Sequence, residues 1–360
     1  MSAGSADQPL RVVIIGYGLA GAVFHAPLVD ATPGMTVAGI VTNNPEREEH
    51  ALRDYPDAAV LSSADEIWRH PSRYDLVAVA SPNRTHVPLA LAAIDAGLPV
   101  VIDKPMAASV AEAERVIAAS QEKGVLLTVF QNRRWDNDFL TVRHIIDADL
   151  LGPIARFESR FERYRRAPHP NAWRELPAPE EAGGLLYDLG SHLIDQALQL
   201  FGTPTRVYAE VDRRRPGAQV DDDSFVALHF GGGERAHLWM SSVARIQGPR
   251  VRLGGLLGTY EKWGLDPQEP DLVAGMRPGD PQWGREPRDR WGRLSTEVNG
   301  LHFDTPLETL PGAYEQFYAL LRDAIVAGGP LPVDPAEVVS ALRVIEAAKR
   351  SAETGTVVML

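Results

Sequence analysis

Val12-Val13-Ile14-Ile15-Gly16-Tyr17-Gly18-Leu19-Ala20-Gly21 is the stretch that decides the fold of this chain. A β-branched run passes straight into glycines spaced G-x-G-x-x-G, and from Leu19 onward a helix can start. In that setting the first glycine permits a tight turn, the second lets backbone approach a pyrophosphate, and the third allows a helix to pack closely on its strand. The N-terminus of that helix then offers unpaired N–H groups to an anion. Gly16, Tyr17, Gly18, Leu19, Ala20 and Gly21 are therefore expected to hold a dinucleotide.

Outward from this loop, short apolar runs at 12–15, 37–41, 76–80, 100–102 and 125–129 alternate with helix-period stretches at 85–96 and 109–122, the second opened by Ser109 and stopped by Gly124. Strands that are apolar on both faces, separated by helices, make a parallel, doubly wound sheet of the Rossmann type. After Arg133 the pattern changes. A helix is predicted over 136–149, then longer strands with two-residue alternation at 154–164, 206–212, 224–230 and 236–244, which describe a large, half-exposed, mainly antiparallel sheet. A glycine-entered helix is predicted over 183–201, a long loop over 266–288, and closing helices over 312–327 and 335–352. At 360 residues the chain exceeds the roughly 250–300 at which one core stops growing. The expected architecture is α/β: a dinucleotide-binding domain over 1–131, then a substrate-binding and oligomerisation α/β domain over 132–360, with the active site in the cleft between them.

A formal charge of −12 argues against a nucleic-acid partner, which needs Lys and Arg to neutralise phosphates. The basic runs Arg163, Arg165, Arg166 and Arg213, Arg214, Arg215 read as solvated charge flanking strands, although one arginine among them could reach a ligand. No window approaches the ~20 apolar residues of a membrane span, and the first nine residues lack the features of a secretory signal. With no cysteine the chain forms neither disulfides nor thiolate metal sites, which suits a cytoplasmic location.

The second strand ends Val41-Thr42-Asn43-Asn44-Pro45, with Arg47 just beyond and no carboxylate to hold a ribose 2′-hydroxyl. Thr42 and Asn43 can donate to a 2′-phosphate and Arg47 can supply charge, which favours NADP. The alternative is a polar turn that accepts both NADP and NAD.

Two further segments carry chemistry: Asp103-Lys104-Pro105 directly after a strand, and Gly183-Gly184-Leu-Leu-Tyr-Asp188-Leu-Gly190-Ser-His192-Leu-Ile-Asp195. With the glycine loop and Ser81-Pro82-Asn83 through His86, they make the chain resemble the Gfo/Idh/MocA oxidoreductases over nearly its whole length. Within that family the runs GYGLAGAVFHAPL, VFQNRRWDNDFLT and LLYDLGSHLIDQALQLFG are similar to those of the NADP-dependent scyllo-inositol dehydrogenases. Two positions depart from the family pattern: Asp103 replaces a glutamate, and Ala182 stands where a third glycine is usual. The shorter carboxylate of Asp103 should still neutralise or orient the lysine.

Oxidising a secondary alcohol needs a hydride acceptor and a group that takes the hydroxyl proton. Histidine, with an ordinary pKa near ~6.5, suits proton transfer, whereas lysine, near ~10.4, suits a cationic hydrogen-bond donor. Asp188 and His192 stand four apart on one predicted helix and share a face, with Asp195 one turn on; taken alone they read as a surface pair, and the Gly-Gly entry, the Lys-Pro turn and the nucleotide loop reverse that reading. The resemblance implies that Lys104 and His192 polarise and protonate the substrate oxygen and that Asp188 orients substrate hydroxyls. No second histidine or carboxylate at ligand spacing accompanies them, so no metal is expected.

Around this core, Ser81, Pro82, Asn83 and His86 lie at the C-terminal end of a parallel strand, where His86 either contacts cofactor or serves as a cap. The resemblance places Asn132, Arg133 and Trp135 near nicotinamide and substrate; an interdomain hinge is the other reading. Tyr164, Trp173 and Arg174 can line a sugar pocket or belong to core and interface. His25 reads as packed helix surface. The implied substrate is a cyclic polyol or sugar, and the resemblance implies homodimers or homotetramers formed through the open sheet face. A non-catalytic nucleotide-binding regulator, and an enzyme using tightly bound NAD for redox-assisted hydrolysis or epimerisation, are the alternatives.

Overall fold

The computed structural model describes residues 8–169 and 173–360, with Trp173 described in its backbone only. The chain divides into two compact units. The first comprises Met1–Asn132 together with Gln268–Trp283 and Ala313–Val338. Its sheet has six strands: β1 Leu10–Ile15, β2 Met35–Val41, β3 Ala59–Leu61, β4 Leu76–Val79, β5 Val100–Asp103 and β6 Leu127–Phe130. They run in the order β3-β2-β1-β4-β5-β6, and every pairing is parallel. Strand order reverses between β1 and β4, and the glycine loop leaves β1 at that switch point, where ligands bind in such sheets. Val12, Val13 and Ile14 of β1 and all four residues of β4 have no exposure, as strands covered on both faces require.

The helix Val110–Lys123 begins and ends for the expected reasons. Ser109 accepts a hydrogen bond from Glu112 N at 3.3 Å, and Gly124 turns the chain with φ 63°. The three-residue β3 was not anticipated, because only Leu61 in it is buried. Two segments that sequence reading placed in the second domain return to this unit. The helix Glu315–Ala327 brings Phe317 and Tyr318 onto Phe130, at ring separations of 4.9 and 6.1 Å.

The second unit comprises Arg133–Pro267, Gly284–Gly312 and Val339–Leu360. Its strands are β7 Ile154–Glu162, β8 Pro204–Asp212, β9 Asp223–Phe230, β10 Arg235–Ser241, β11 Val251–Gly255, β12 Gly258–Lys262, β13 Gly292–Val298, β14 Leu301–Leu307 and β15 Val358–Met359. They form one sheet in the order β14-β13-β12-β11-β7-β10-β9-β8-β15, antiparallel except where β10 lies beside β7. Phe157, Val226, Leu228, Leu238 and Met240 are fully buried on its inner face, under the helix Ser191–Phe201. On the other face Phe225, His237 and Trp239 form a ladder of partly exposed rings, with the Arg160 guanidinium 3.9 Å over Trp239.

The predicted loop over 266–288 contains a short helix, Gln268–Val273, which its proline and glycine content concealed. Strands β11 to β14 were also unanticipated. They are short, glycine-bearing or, in β14, almost wholly exposed, so apolar alternation is weak in them.

Candidate active site

In the first unit the glycine loop is built as its spacing demands. Gly16 takes φ 97°, and a β-carbon there would stand 2.6 Å from the Ala80 carbonyl oxygen at the end of β4. A β-carbon on Gly21 would run into the Gly16 carbonyl oxygen. Both sites admit only glycine, leaving a bare backbone cradle of the kind that admits a pyrophosphate. The helix that follows starts as a π-type turn, Ala20–His25, before continuing as Ala26–Asp30. Such widened turns recur at functional sites. Leu19 is exposed, whereas Tyr17 is buried, its hydroxyl pushed up to about 12 by desolvation.

At the end of β2, Thr42 accepts from Asn44 N at 3.3 Å, and Asn44 caps the next helix by accepting from Arg47 N at 3.0 Å. Asn43 and Arg47 are exposed, and the Arg47 guanidinium lies 3.7 Å from where a β-carbon on Gly18 would be. A cation thus hangs over the second glycine of the loop, at a strand end without a carboxylate. These residues fit a dinucleotide.

His86 joins two loops. Its Nδ1 lies 2.8 Å from the Pro105 carbonyl oxygen and its Nε2 lies 2.9 Å from the Ser81 carbonyl oxygen. A carbonyl only accepts, so the N–H of a neutral ring can be donated to one of the two carbonyls, whichever the tautomer selects. Burial lowers the His86 pKa, while Asp103 and the two carbonyls oppose that effect. The imidazole therefore ties the Ser81-Pro82-Asn83 turn to the segment carrying Lys104. Ser81 Oγ and Thr85 Oγ1, 2.6 Å apart, tighten the same turn. Asp103 Oδ1 accepts from Lys104 N at 2.8 Å, so the carboxylate organises the backbone of the lysine turn. Asn132 is buried at the end of this segment.

His25 is packed, as its sequence reading expects, but in the core rather than at a helix surface. It is wholly buried, its Nδ1 2.6 Å from the Tyr318 hydroxyl and its ring 4.4 Å from that of Phe130. Burial holds its pKa down at about 4, with Asp103 as the opposing influence.

In the second unit the Gly183-Gly184 entry has a steric cause. A β-carbon on Gly183 would strike the Leu176 carbonyl oxygen, and one on Gly184, at φ 97°, would strike the Asp221 carboxylate. Asp221 accepts from Leu186 N at 2.7 Å and from Ser224 Oγ at 2.9 Å, with its pKa raised by desolvation. It thereby fixes the start of the second π-type turn, Leu186–Gly190, which carries Asp188 and hands over to Ser191–Phe201 with His192. The expectation of one α-helix over 183–201 needs that correction. Sequence reasoning missed Asp221; the acidic run Asp221-Asp222-Asp223 ahead of β9 was the available signal.

Asp188 is partly exposed, with the Arg174 Nε 3.3 Å from its Oδ1, and His192 is 4% exposed. The Arg174 carbonyl oxygen also accepts from Gly184 N at 3.0 Å, so the predicted pocket residue and the glycine entry are one assembly. Arg133 lies 4.9 Å over the Phe161 ring, its carbonyl accepting from Gln196 Nε2 at 2.8 Å, and Trp135 is half-buried beside it in chain. Tyr164 is 42% exposed with Arg245 4.0 Å over its ring. The side chain of Trp173 lies outside the described residues. Arg215 departs from its reading as solvated charge: it is buried, pairing with Asp222 at 2.8 Å and Glu175 at 3.0 Å. Among the described residues no group of three or more potential metal ligands occurs.

The parallel sheet with this glycine loop is followed by an α/β unit that carries Asp188 and His192 on successive turns, the architecture of a family of oxidoreductases. The chain belongs to the Gfo/Idh/MocA family: residues 10–131 match its NAD-binding Rossmann fold, and residues 143–360 match its C-terminal alpha/beta domain. Scyllo-inositol 2-dehydrogenase (NADP(+)) IolW of Bacillus subtilis is 40% identical over 98% of this chain and 96% of its own length. The uncharacterized oxidoreductase YdgJ of Escherichia coli is 38% identical over 96% of each. Among solved structures, YvaA of Bacillus subtilis in its triclinic form matches with a TM-score of 0.93 at 38% identity, covering 98% of this chain and 99% of that one.

Proposed function

We propose that this oxidoreductase interconverts a secondary alcohol and a ketone on a cyclic polyol or sugar, with NADP preferred over NAD. The observation that carries the reading is the lysine turn. Lys104 follows directly on β5, its backbone held by Asp103 and its loop tied through His86 to the end of β4. A bound nicotinamide would supply the hydride acceptor or donor. Lys104 is assigned to donate a hydrogen bond to the reacting oxygen, His192 to exchange a proton with it, and Asp188 to accept hydrogen bonds from neighbouring hydroxyls. Arg133, Trp135, Tyr164, Trp173 and Arg174 are assigned to the substrate, and Ser81, Pro82, Asn83 and Asn132 to the cofactor. The preference for NADP rests on Arg47 over Gly18 and on the similarity to an NADP(+) enzyme.

The ring ladder of Phe225, His237 and Trp239 supports self-association through the outer sheet face, as a homodimer or homotetramer. Inositols, inososes, pyranoses and their keto derivatives, each assayed with NADP and NAD by absorbance of the reduced cofactor, test class, cofactor and substrate together. Turnover with at least one polyol or ketone is expected. Binding of cofactor with no turnover across the panel would make the protein a nucleotide-dependent regulator, and copurified, non-exchanging NAD would point to redox-assisted hydrolysis or epimerisation.

A further inference from the structure

We infer that the substrate of the proposed site carries an anionic group, a carboxylate or a phosphate ester, and that Arg163 binds it; the inference rests on the reading of Asp188 as a substrate residue. Arg163 follows β7, and its backbone N donates to the Ser241 carbonyl oxygen at 2.9 Å. Arg165 N donates likewise to the Ser242 carbonyl oxygen at 2.8 Å, so the segment after β7 is held against the end of β10. The Arg163 Nε is buried and makes no hydrogen bond, and its guanidinium has no ion pair among the described residues.

The charged groups facing Arg163 are Arg165, Asp188, Arg215 and Glu175. Both carboxylates are already engaged. Glu175 takes Arg215 at 3.0 Å, which also holds Asp222, and Asp188 takes Arg174 at 3.3 Å. Arg163 is therefore a cation left over beside Asp188, in a chain whose net charge is −12. Burial and the neighbouring arginines lower its pKa, which marks the same deficit of negative charge. Withdrawing an arginine from water without a counter-charge is costly, and folding alone gives no return for it here.

A neutral hydroxyl would accept one hydrogen bond from the guanidinium but leave the charge uncompensated. A carboxylate or phosphate supplies both, and the planar fork suits two-point contact with either. Asp188, an acceptor, and Arg163, a donor, then divide the substrate: hydroxyls to the first, the anion to the second. Arginines 165 and 174 nearby add a positive field that would draw an anion in. The sequence reading of Arg163 as solvated charge gives way to a half-buried residue next to the candidate site.

The test uses the full chain with NADP and two matched pairs: glucose against glucuronate, and myo-inositol against myo-inositol 1-phosphate. The anionic member of at least one pair should have a KM lower by about tenfold or more. Arg163→Gln should erase that advantage while changing kcat/KM for the neutral member little, and added salt should weaken only the anionic reaction. The glucuronate arm and the phosphate arm tell carboxylate from phosphate. Equal KM values within both pairs, or equal losses for neutral and anionic substrates in the variant, would overturn the inference. Absence of turnover with all four counts against the redox reading and leaves the anion site to a binding measurement. Calorimetric titration of the NADP-loaded protein with glucuronate and with inorganic phosphate still decides: binding lost in Arg163→Gln upholds the anion site, and no binding sinks it. Arg163→Lys, which keeps charge but not the fork, gives the same comparison if the glutamine variant folds poorly.

Discussion

Arg134 and Asp195 meet as a two-point pair, Nε to Oδ2 at 2.8 Å and Nη2 to Oδ1 at 2.6 Å, with both side chains buried. The last acidic residue of the Gly183–Asp195 motif is thus an anchor between the helix Ser191–Phe201 and the turn Asn132–Trp135, where sequence alone could only place it one turn beyond His192. Removing one partner leaves an uncompensated buried charge. Asp195→Leu should lower stability by about 3–5 kcal/mol, and the double change Arg134→Met with Asp195→Leu should recover most of that. Urea unfolding midpoints of the three proteins measure it; a single variant within about 1 kcal/mol of the parent would show that the pair contributes little.

His25 predicts an acid limb to stability. Its pKa is held down at about 4 in the fold, against an ordinary ~6.5 when unfolded, so the unfolded chain takes up a proton first as pH falls. Native stability is undiminished by this group above pH ~6.5 and is lost progressively between there and pH 4, by up to about 3 kcal/mol. His25→Gln should flatten the profile in that window. An identical slope in parent and variant would assign the acid sensitivity to other groups.

Cofactor choice should respond to two exposed residues. Asn43→Asp places a carboxylate where a 2′-phosphate would lie and should reverse the preference toward NAD by like-charge repulsion. Arg47→Ala should weaken NADP and leave NAD nearly unchanged. Fluorescence titrations with both nucleotides report this directly, and NAD binding as tightly as NADP in the parent protein would remove the basis for the expectation.

Lys104→Met should leave nucleotide affinity almost intact and lower turnover by orders of magnitude, since the interaction lost belongs to the transition state. His192→Asn should cut turnover and also abolish the ionisation that governs the pH profile. Alcohol oxidation requires the neutral imidazole, so its rate should fall toward acid, while ketone reduction should gain there. Rate against pH in both directions, for parent and variant, separates a proton carrier from a binding group: an unchanged acid limb in His192→Asn would pass the proton to another residue.

The nucleotide-binding half was legible because its signals are local. Val12–Ile15 and Gly16–Gly21 need each other's positions, and the clash that a β-carbon on Gly21 would make with the Gly16 carbonyl oxygen is encoded within that run. The open sheet was legible as a class from β7 to β10, whose alternation reflects one wet face, yet β14 has almost no buried side chain and so left no pattern. At the candidate site, Asp188 and His192 stood out through the glycine entry, whereas Asp221 became visible only when Leu186 N was brought to it from a distant part of the chain. Arg163 and Arg215 look alike in sequence; the fold gives carboxylates to one and withholds them from the other.

The return of Ala313–Val338 to the nucleotide-binding unit has a consequence during synthesis. His25 and Phe130 emerge from the ribosome long before Tyr318, their partner 293 residues after His25. At ~5–20 residues per second, the gap between Phe130 and Phe317 amounts to roughly ten to forty seconds, in which an aromatic surface waits without its cover. A nascent chain in that interval is a natural client for chaperones. A fragment cut at residue 131 would stay in that condition permanently, so cofactor binding by the isolated nucleotide-binding segment should require Glu315–Ala327 to be supplied, in the same chain or as an added peptide.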